Sequence, residues 1–216
     1  MSVHLEKEFS RLRTLCASFD IDVNYRVVSA CLEFARLLID ANRSINLTAI
    51  SEARRLVIAL FLDSLLFSRE VKGLTTVLDL GTGAGFPAVP LALLHPTLEV
   101  TALDCREKKI RFIDKAKREL GMSNLNTIHA RAENLKHRKW DAVFAKAFGP
   151  LHKTLSLALP LVSPRGRVSI ACSKKTMDSQ RSKLHTVLGS RTFKCWPYRL
   201  PDYDSEFLHF NIQSFS

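Results

Sequence analysis

A chain of 216 residues with 46% hydrophobic content is long enough to bury one substantial core and carry a small appendage. It has no apolar run of the roughly 18 residues a membrane-spanning helix requires, and the opening Met-Ser-Val-His-Leu-Glu-Lys-Glu has no basic segment followed by an apolar one, so neither a membrane partner nor a secretion signal is expected. The one excess is charge: a formal +11 with pI near 9.7 attracts polyanions, and points first to nucleic acid.

Residues 1–70 carry helical periodicity. Leu5, Phe9, Leu12, Leu15 and Phe19 fall on one face, and Val27, Cys31, Phe34, Leu37 and Leu38 on another. After the polar turn 42–48 a further helix runs through Leu56, Ile58, Leu60 and Leu65. No Pro/Gly-rich linker follows, so residues 1–70 are read as a helical cap docked on a domain of residues 71–216, the two forming one compact unit.

From residue 75 onward strand and helix patterns alternate. Strands are expected at 75–80, 98–103, 125–130, 140–145, 166–172, 193–199 and 206–213, and helices at 87–95, 106–120, 150–162 and 176–189. Such alternation specifies an α/β fold with a parallel sheet covered on both faces. The connection 200–205 is too short for a crossover helix, so the last strand must run antiparallel. A seven-stranded, mostly parallel sheet with a reversed last strand is the architecture of Rossmann-like class I methyltransferases, in which ligands bind beyond the carboxyl ends of the strands.

The first strand delivers Asp79 and then a glycine loop, Gly81, Gly83 and Gly85, followed by Phe86-Pro87 at a helix start, and Asp79, the three glycines and Phe86 are the candidate cofactor contacts. Glycines there let the backbone bend sharply and a ligand approach it closely. Phe86 stands where the third glycine of a dinucleotide motif would fall, which disfavours a pyrophosphate and leaves S-adenosyl-L-methionine as the leading cofactor. A nicotinamide-dependent oxidoreductase is the weaker alternative. Asp104 ends the next strand, 19 positions after Gly85, and suits the ribose hydroxyls, while Ala132-Glu133 after the third strand suits an adenine edge.

The loop 144–150 after the fourth strand should face the methyl group. It lacks the D/N-P-P-Y/F stretch of exocyclic-amine methyltransferases and the cysteine nucleophile of cytosine-C5 enzymes. A nucleophile with an exposed lone pair, such as guanine N7, needs only positioning. Lys146, the one charged residue of that loop, is the candidate positioning residue, for the cofactor carboxylate or an RNA phosphate.

Five cysteines without a C-x-x-C pair read as reduced, mostly buried thiols, and seven scattered histidines give no metal site. Basic residues cluster: nine Lys/Arg from Arg165 to Arg199 stand against Asp178 alone. Arg165, Arg167, Lys174 and Lys175 are the candidate RNA contacts.

Asn46-Leu-Thr-Ala-Ile50, Leu62-Asp-Ser-Leu65, the string from Val77 to Pro87, Lys109-Ile-Arg-Phe112, Arg131-Ala-Glu133 and the Ala147/Pro150-Leu151 loop together resemble the bacterial 16S ribosomal RNA guanine-N7 methyltransferase family, also called glucose-inhibited division protein B. The resemblance implies methylation at N7 of one guanine of the small-subunit RNA, with 16S rRNA or the small ribosomal subunit as partner; reduced cysteines and scattered histidines add the expectation of a cytoplasmic protein without metal, and a monomer is expected. The resemblance also implies a cofactor pocket lined by Gly81, Phe86, Ala132-Glu133 and Lys146. The chain departs from the family pattern at Ala41 (Trp), Leu60-Phe61 (Arg-His), Lys146 (Arg), Arg165 (Gly), Cys172 (near an expected Lys) and Phe207 (Arg). A divergent member that binds RNA without turnover, or methylates another RNA target, is therefore the alternative expectation.

Overall fold

The computed structural model of the protein describes residues 2–135, 137–189 and 191–213. Three helices open the chain, α1 (Ser2–Ser10), α2 (Leu12–Ala17) and α3 (Tyr25–Asn42). The periodicity from Leu5 to Phe19 is thus split in two by a tight turn at Arg11, whose amide reaches the Glu8 carbonyl at 3.2 Å. Asn24 starts α3 by accepting the Val27 amide at 3.0 Å, satisfying one of the donors a helix leaves open at its N-terminus.

The fourth helical stretch is segmented. It begins as α4 (Ala53–Leu56), capped by Glu52 on the Arg54 and Arg55 amides, winds as a π-helix over Val57–Leu62, and continues through α5 (Asp63–Leu65) into a 3₁₀ turn, Leu66–Glu70. The wider turn moves every later side chain around the axis relative to α-helical spacing. Hydrophobic periodicity over Leu56–Leu65 does not reveal this.

Seven strands form one sheet: β1 (Thr76–Leu80), β2 (Glu99–Asp104), β3 (Leu125–His129), β4 (Trp140–Lys146), β5 (Val162–Ser173), β6 (Phe193–Arg199) and β7 (Glu206–Gln213). Their order is β3-β2-β1-β4-β5-β7-β6, with β7 antiparallel to both neighbours, as its short connection requires. The crossovers are α6 (Ala88–Leu94), α7 (Glu107–Glu119), α8 (Leu151–Ala158) and α9 (Lys174–Leu188). β5 starts four residues earlier than expected, because its first part is irregular: Trp140 pairs with Val162, but Ala142 pairs with Arg167. The intervening bend holds Arg165 at φ +66° and brings the Gly166 backbone so close to the Asp141 carbonyl that a Cβ there would lie 2.5 Å away.

Strand alternation divides the core. Val77 joins a cluster with Phe9, Phe34, Phe61, Phe86 and Ile113, so the cap and one face of the sheet share one interior. Leu78 and Leu80, pointing the other way, join Val143, Leu155, Leu184 and Phe210 under α8 and α9. Phe61 meets Phe9 and Phe34 within the cap, with centroids 4.9 and 6.0 Å away, and reaches Phe86 beyond the glycine loop at 5.1 Å. Cys16 and Cys31 are buried, whereas Cys105 and Cys195 are exposed and Cys172 is half-buried, so the thiols are less buried than their spacing suggested.

Candidate active site

The carboxyl ends of β1, β2 and β4 open into a cavity of about 360 Å³ whose lining includes Gly81, Asp104, Lys109, Ala132, Glu133 and Phe148. Asp104 organises it. Its carboxylate accepts the Gly83 amide at 3.1 Å and the Arg106 amide at 2.9 Å, and the Lys109 ammonium stands 3.4 Å away. The Thr82 amide bonds the Leu103 carbonyl at 2.8 Å, so side chain and backbone both stitch the glycine loop to the end of β2. A carboxylate has about four lone-pair sites, so capacity remains for a ligand hydroxyl.

Gly81 sits at φ +74° with the Phe148 ring against its backbone; a Cβ there would lie 1.9 Å from the ring. The ring is 38% exposed and rides on Ala147, a non-glycine residue at φ +52°. Ala132 and Glu133 open a 3₁₀ turn, Ala132–Leu135, whose first amides have no intrahelical acceptor.

The remaining expected cofactor residues lie elsewhere. Asp79 is 1% exposed beneath the loop, and accepts the Ala88 amide at 3.0 Å; burial lifts its carboxyl to about 7. Gly83 does not line the cavity, though its amide anchors Asp104. Gly85, at φ +97°, faces the cap: a Cβ would lie 2.8 Å from Val89 and 3.1 Å from Phe34. Phe86 is 5% exposed in the aromatic cluster, and so shapes the loop from below.

Lys146 belongs to an adjoining cavity of about 440 Å³, which shares Ala147 and Phe148 with the first. Its ammonium donates to the Ala59 carbonyl of the π-helix at 2.7 Å and pairs with Asp63 at 3.1 Å. The other Asp63 oxygen accepts the Tyr198 phenol at 2.7 Å. Burial and the Asp63 charge raise the Tyr198 pKa, so this phenol stays a donor. Asp63 and Tyr198, 135 positions apart, carry no local signal that joins them.

Leu60, Lys146, Cys172 and Phe207, four of the departures from the family pattern, line this second cavity. Phe61 is instead in the aromatic core, and Ala41 packs against the same cluster. The expected RNA contacts separate. Lys174 and Lys175 follow Ser173 at the rim of the second cavity, Lys174 pairing with Glu206 at 2.8 Å. Arg167 lies six residues back along β5, about 20 Å at 3.3 Å per residue, next to Glu70 and the Lys72 carbonyl at the opposite end of the sheet, and Arg165 lies beyond it.

Among the described residues no group of three or more His, Cys, Asp or Glu is placed to hold a metal ion, and no helix is long and apolar enough to cross a membrane.

Residues 28–191 match the family model GidB, described as rRNA small subunit methyltransferase G. The chain is 35% identical over 191 residues to Ribosomal RNA small subunit methyltransferase G of Geobacter sulfurreducens, covering 86% of this chain and 88% of the relative. The protein of that name from Myxococcus xanthus is 38% identical over 168 residues, covering 76% and 77%. Among solved structures, a SAM-dependent methyltransferase from Aquifex aeolicus superposes with a TM-score of 0.57 at 19% identity, covering 74% of this chain and 93% of that one. An rRNA methylase from Streptococcus thermophilus does so with 0.52 at 22%, covering 71% and 97%. These likenesses carry the Rossmann-like fold, while the family rests on the sequence matches. The chain belongs to the rRNA small subunit methyltransferase G family.

Proposed function

We propose that this chain transfers the methyl group of S-adenosyl-L-methionine to N7 of a guanine in 16S ribosomal RNA, acting as a metal-free monomer in the cytoplasm. The observation that carries the reading is the Asp104 carboxylate, held by the Gly83 and Arg106 amides on a cavity that adjoins a second one across Phe148.

The first cavity fits a nucleoside. The Asp104 carboxylate, with a spare lone pair on the cavity wall, suits a ribose diol. Gly81 and Asp104 would hold the sugar and the chain leading from it, and Ala132-Glu133 the adenine. When bound, the cofactor supplies an electrophilic methyl group on a positively charged sulfur.

Guanine N7 already exposes a lone pair, so no side chain has to remove a proton from it. The work left to the chain is alignment and exclusion of water, which the walls of two adjoining cavities perform. Arg106, Lys109 and Arg131 on the first cavity and Lys174 and Lys175 beside the second supply positive charge for the RNA backbone around them.

The test is incorporation of tritium from labelled cofactor into small-subunit RNA, naked and assembled. Label on guanine N7 is the expected result. Salt-sensitive binding of RNA with no label would replace this reading with the non-catalytic alternative.

A further inference from the structure

We propose that the second cavity seats the target base, and that the Asp63–Lys146 pair on its wall reads the Watson–Crick edge of guanine. This deepens the methyl-transfer reading and rests on it.

The cavity is mostly apolar. Leu60, Phe148, Leu200, Tyr203 and Phe207 contribute flat or branched surfaces, the kind against which an unstacked base packs. Its polar groups are few, and most are engaged. Ser173 caps α9 on the Thr176 amide at 3.1 Å, and the Thr154 hydroxyl donates to the Pro150 carbonyl at 3.2 Å. Asp63 and Lys146 keep capacity. The Lys146 ammonium has three N–H donors, two of them directed at Ala59 O and Asp63. The Asp63 carboxylate has about four lone-pair sites, two of them taken by Tyr198 and Lys146.

The wall therefore offers one cationic donor beside two acceptor oxygens. Guanine is complementary to that set: its O6 accepts beside N1–H and the N2 amino group, both donors. Adenine sets an amino donor against the ammonium and an N1 acceptor against the carboxylate. Uracil matches at O4 and N3–H, but places a second acceptor, O2, where guanine has its amino group. A base held in this way leaves N7 without a protein partner.

The pair is also costly to keep for packing alone. Side-chain exposures of 10% for Asp63 and 11% for Lys146 take both charges largely out of water, a loss that their attraction only partly returns. A purely structural tie between cap and sheet would not require the pair to face a cavity, whereas recognition of a base does.

The experiment uses the intact chain saturated with S-adenosylhomocysteine, the demethylated product, with filling of the first cavity verified by calorimetry. No heat at that step would remove the methyl-transfer reading before the base pocket is tested. Guanosine, inosine, adenosine and uridine monophosphates are then compared by saturation-transfer NMR. Guanosine monophosphate should bind at least about 10-fold more tightly than the adenosine and uridine nucleotides, with inosine between, as expected for loss of one charge-assisted hydrogen bond. Asp63→Asn should erase the preference. Leu60→Trp, which fills the cavity without touching the charged pair, should abolish guanosine binding while product affinity stays within about twofold; it decides the matter if Asp63→Asn does not fold. No guanosine binding, equal binding of guanosine and adenosine nucleotides, an intact preference in Asp63→Asn, or full binding in Leu60→Trp would each overturn the proposal.

Discussion

The Asp79 carboxylate accepts the backbone N–H of Ala88 at 3.0 Å and so ties the interior of β1 to the first residue of α6. Burial raises the folded pKa of Asp79 to about 7, whereas burial lowers that of His209, 1% exposed between Phe67, Trp196 and Tyr198, to about 4. The two contributions have opposite signs. Asp79 binds its proton more tightly when folded, so its contribution is complete below pH 3.8 and is lost as pH rises through 7; His209 favours the fold above pH 6.5 and loses that contribution as pH falls through 4. Removing either group should uncover the slope of the other. Between pH 4 and 8, stability of Asp79→Asn relative to the parent should rise by about 4 kcal/mol, and that of His209→Phe should fall by about 3 kcal/mol. Urea denaturation across that range checks both, and profiles parallel to the parent's would refute the assignments.

Gly81→Ala introduces a Cβ at φ +74° and pushes on the Phe148 ring. We expect a loss of about 2 kcal/mol, of which the left-handed backbone accounts for roughly half. Because Phe148 is a partly exposed side chain, Phe148→Ala in the same molecule should return about 1 kcal/mol. A double variant that costs the full sum of its parents would show that the ring is not what the new methyl meets.

Arg165 occupies φ +66°, a conformation in which glycine is free of the strain a Cβ brings. Arg165→Gly should therefore stabilise the chain by about 1 kcal/mol, read as a melting temperature higher by roughly 2–4 °C. Its place beyond Arg167, away from both cavities, predicts unchanged cofactor affinity; a lower melting temperature would mean that the guanidinium does more than hang from a strained bend.

Asp104→Ala removes the acceptor of two loop amides together with the proposed ribose partner. Calorimetry should show cofactor affinity weaker by about 2–3 kcal/mol, with a stability loss of about 1–3 kcal/mol for the unpaired Gly83 and Arg106 amides. Intact affinity beside lowered stability would reduce Asp104 to a loop staple.

The fold was legible because its signals are local and repeated: apolar runs at strand length, helices between them, and a connection after β6 too short for a crossover. The place of Asp104 on the cavity wall was legible for the same reason, since it closes the β2 strand. Phe86 was harder to place. An aromatic residue beside a glycine loop reads equally as cofactor wall or packing, and only the cap's Phe34 and Phe61 show that it is packing. Asp63 sits in a recognisable string, but its partner Tyr198 comes from the far end of the chain and its direction depends on a π-helical turn that spacing does not encode. Arg165 and Arg167 were grouped with Lys174 and Lys175 by proximity in sequence, yet an extended strand carries its two ends far apart.

Tyr198 reaches Asp63 from β6, an edge strand and the sixth to be synthesised. The wall of the first cavity is complete by Leu157, whereas that of the second draws on residues as late as Phe207. As the chain leaves the ribosome that makes it, the wall of the first cavity is thus encoded before that of the second, and an unfinished copy lacks the phenolic partner of Asp63; on the proposed assignment of the two cavities, the cofactor seat comes first and the base reader last.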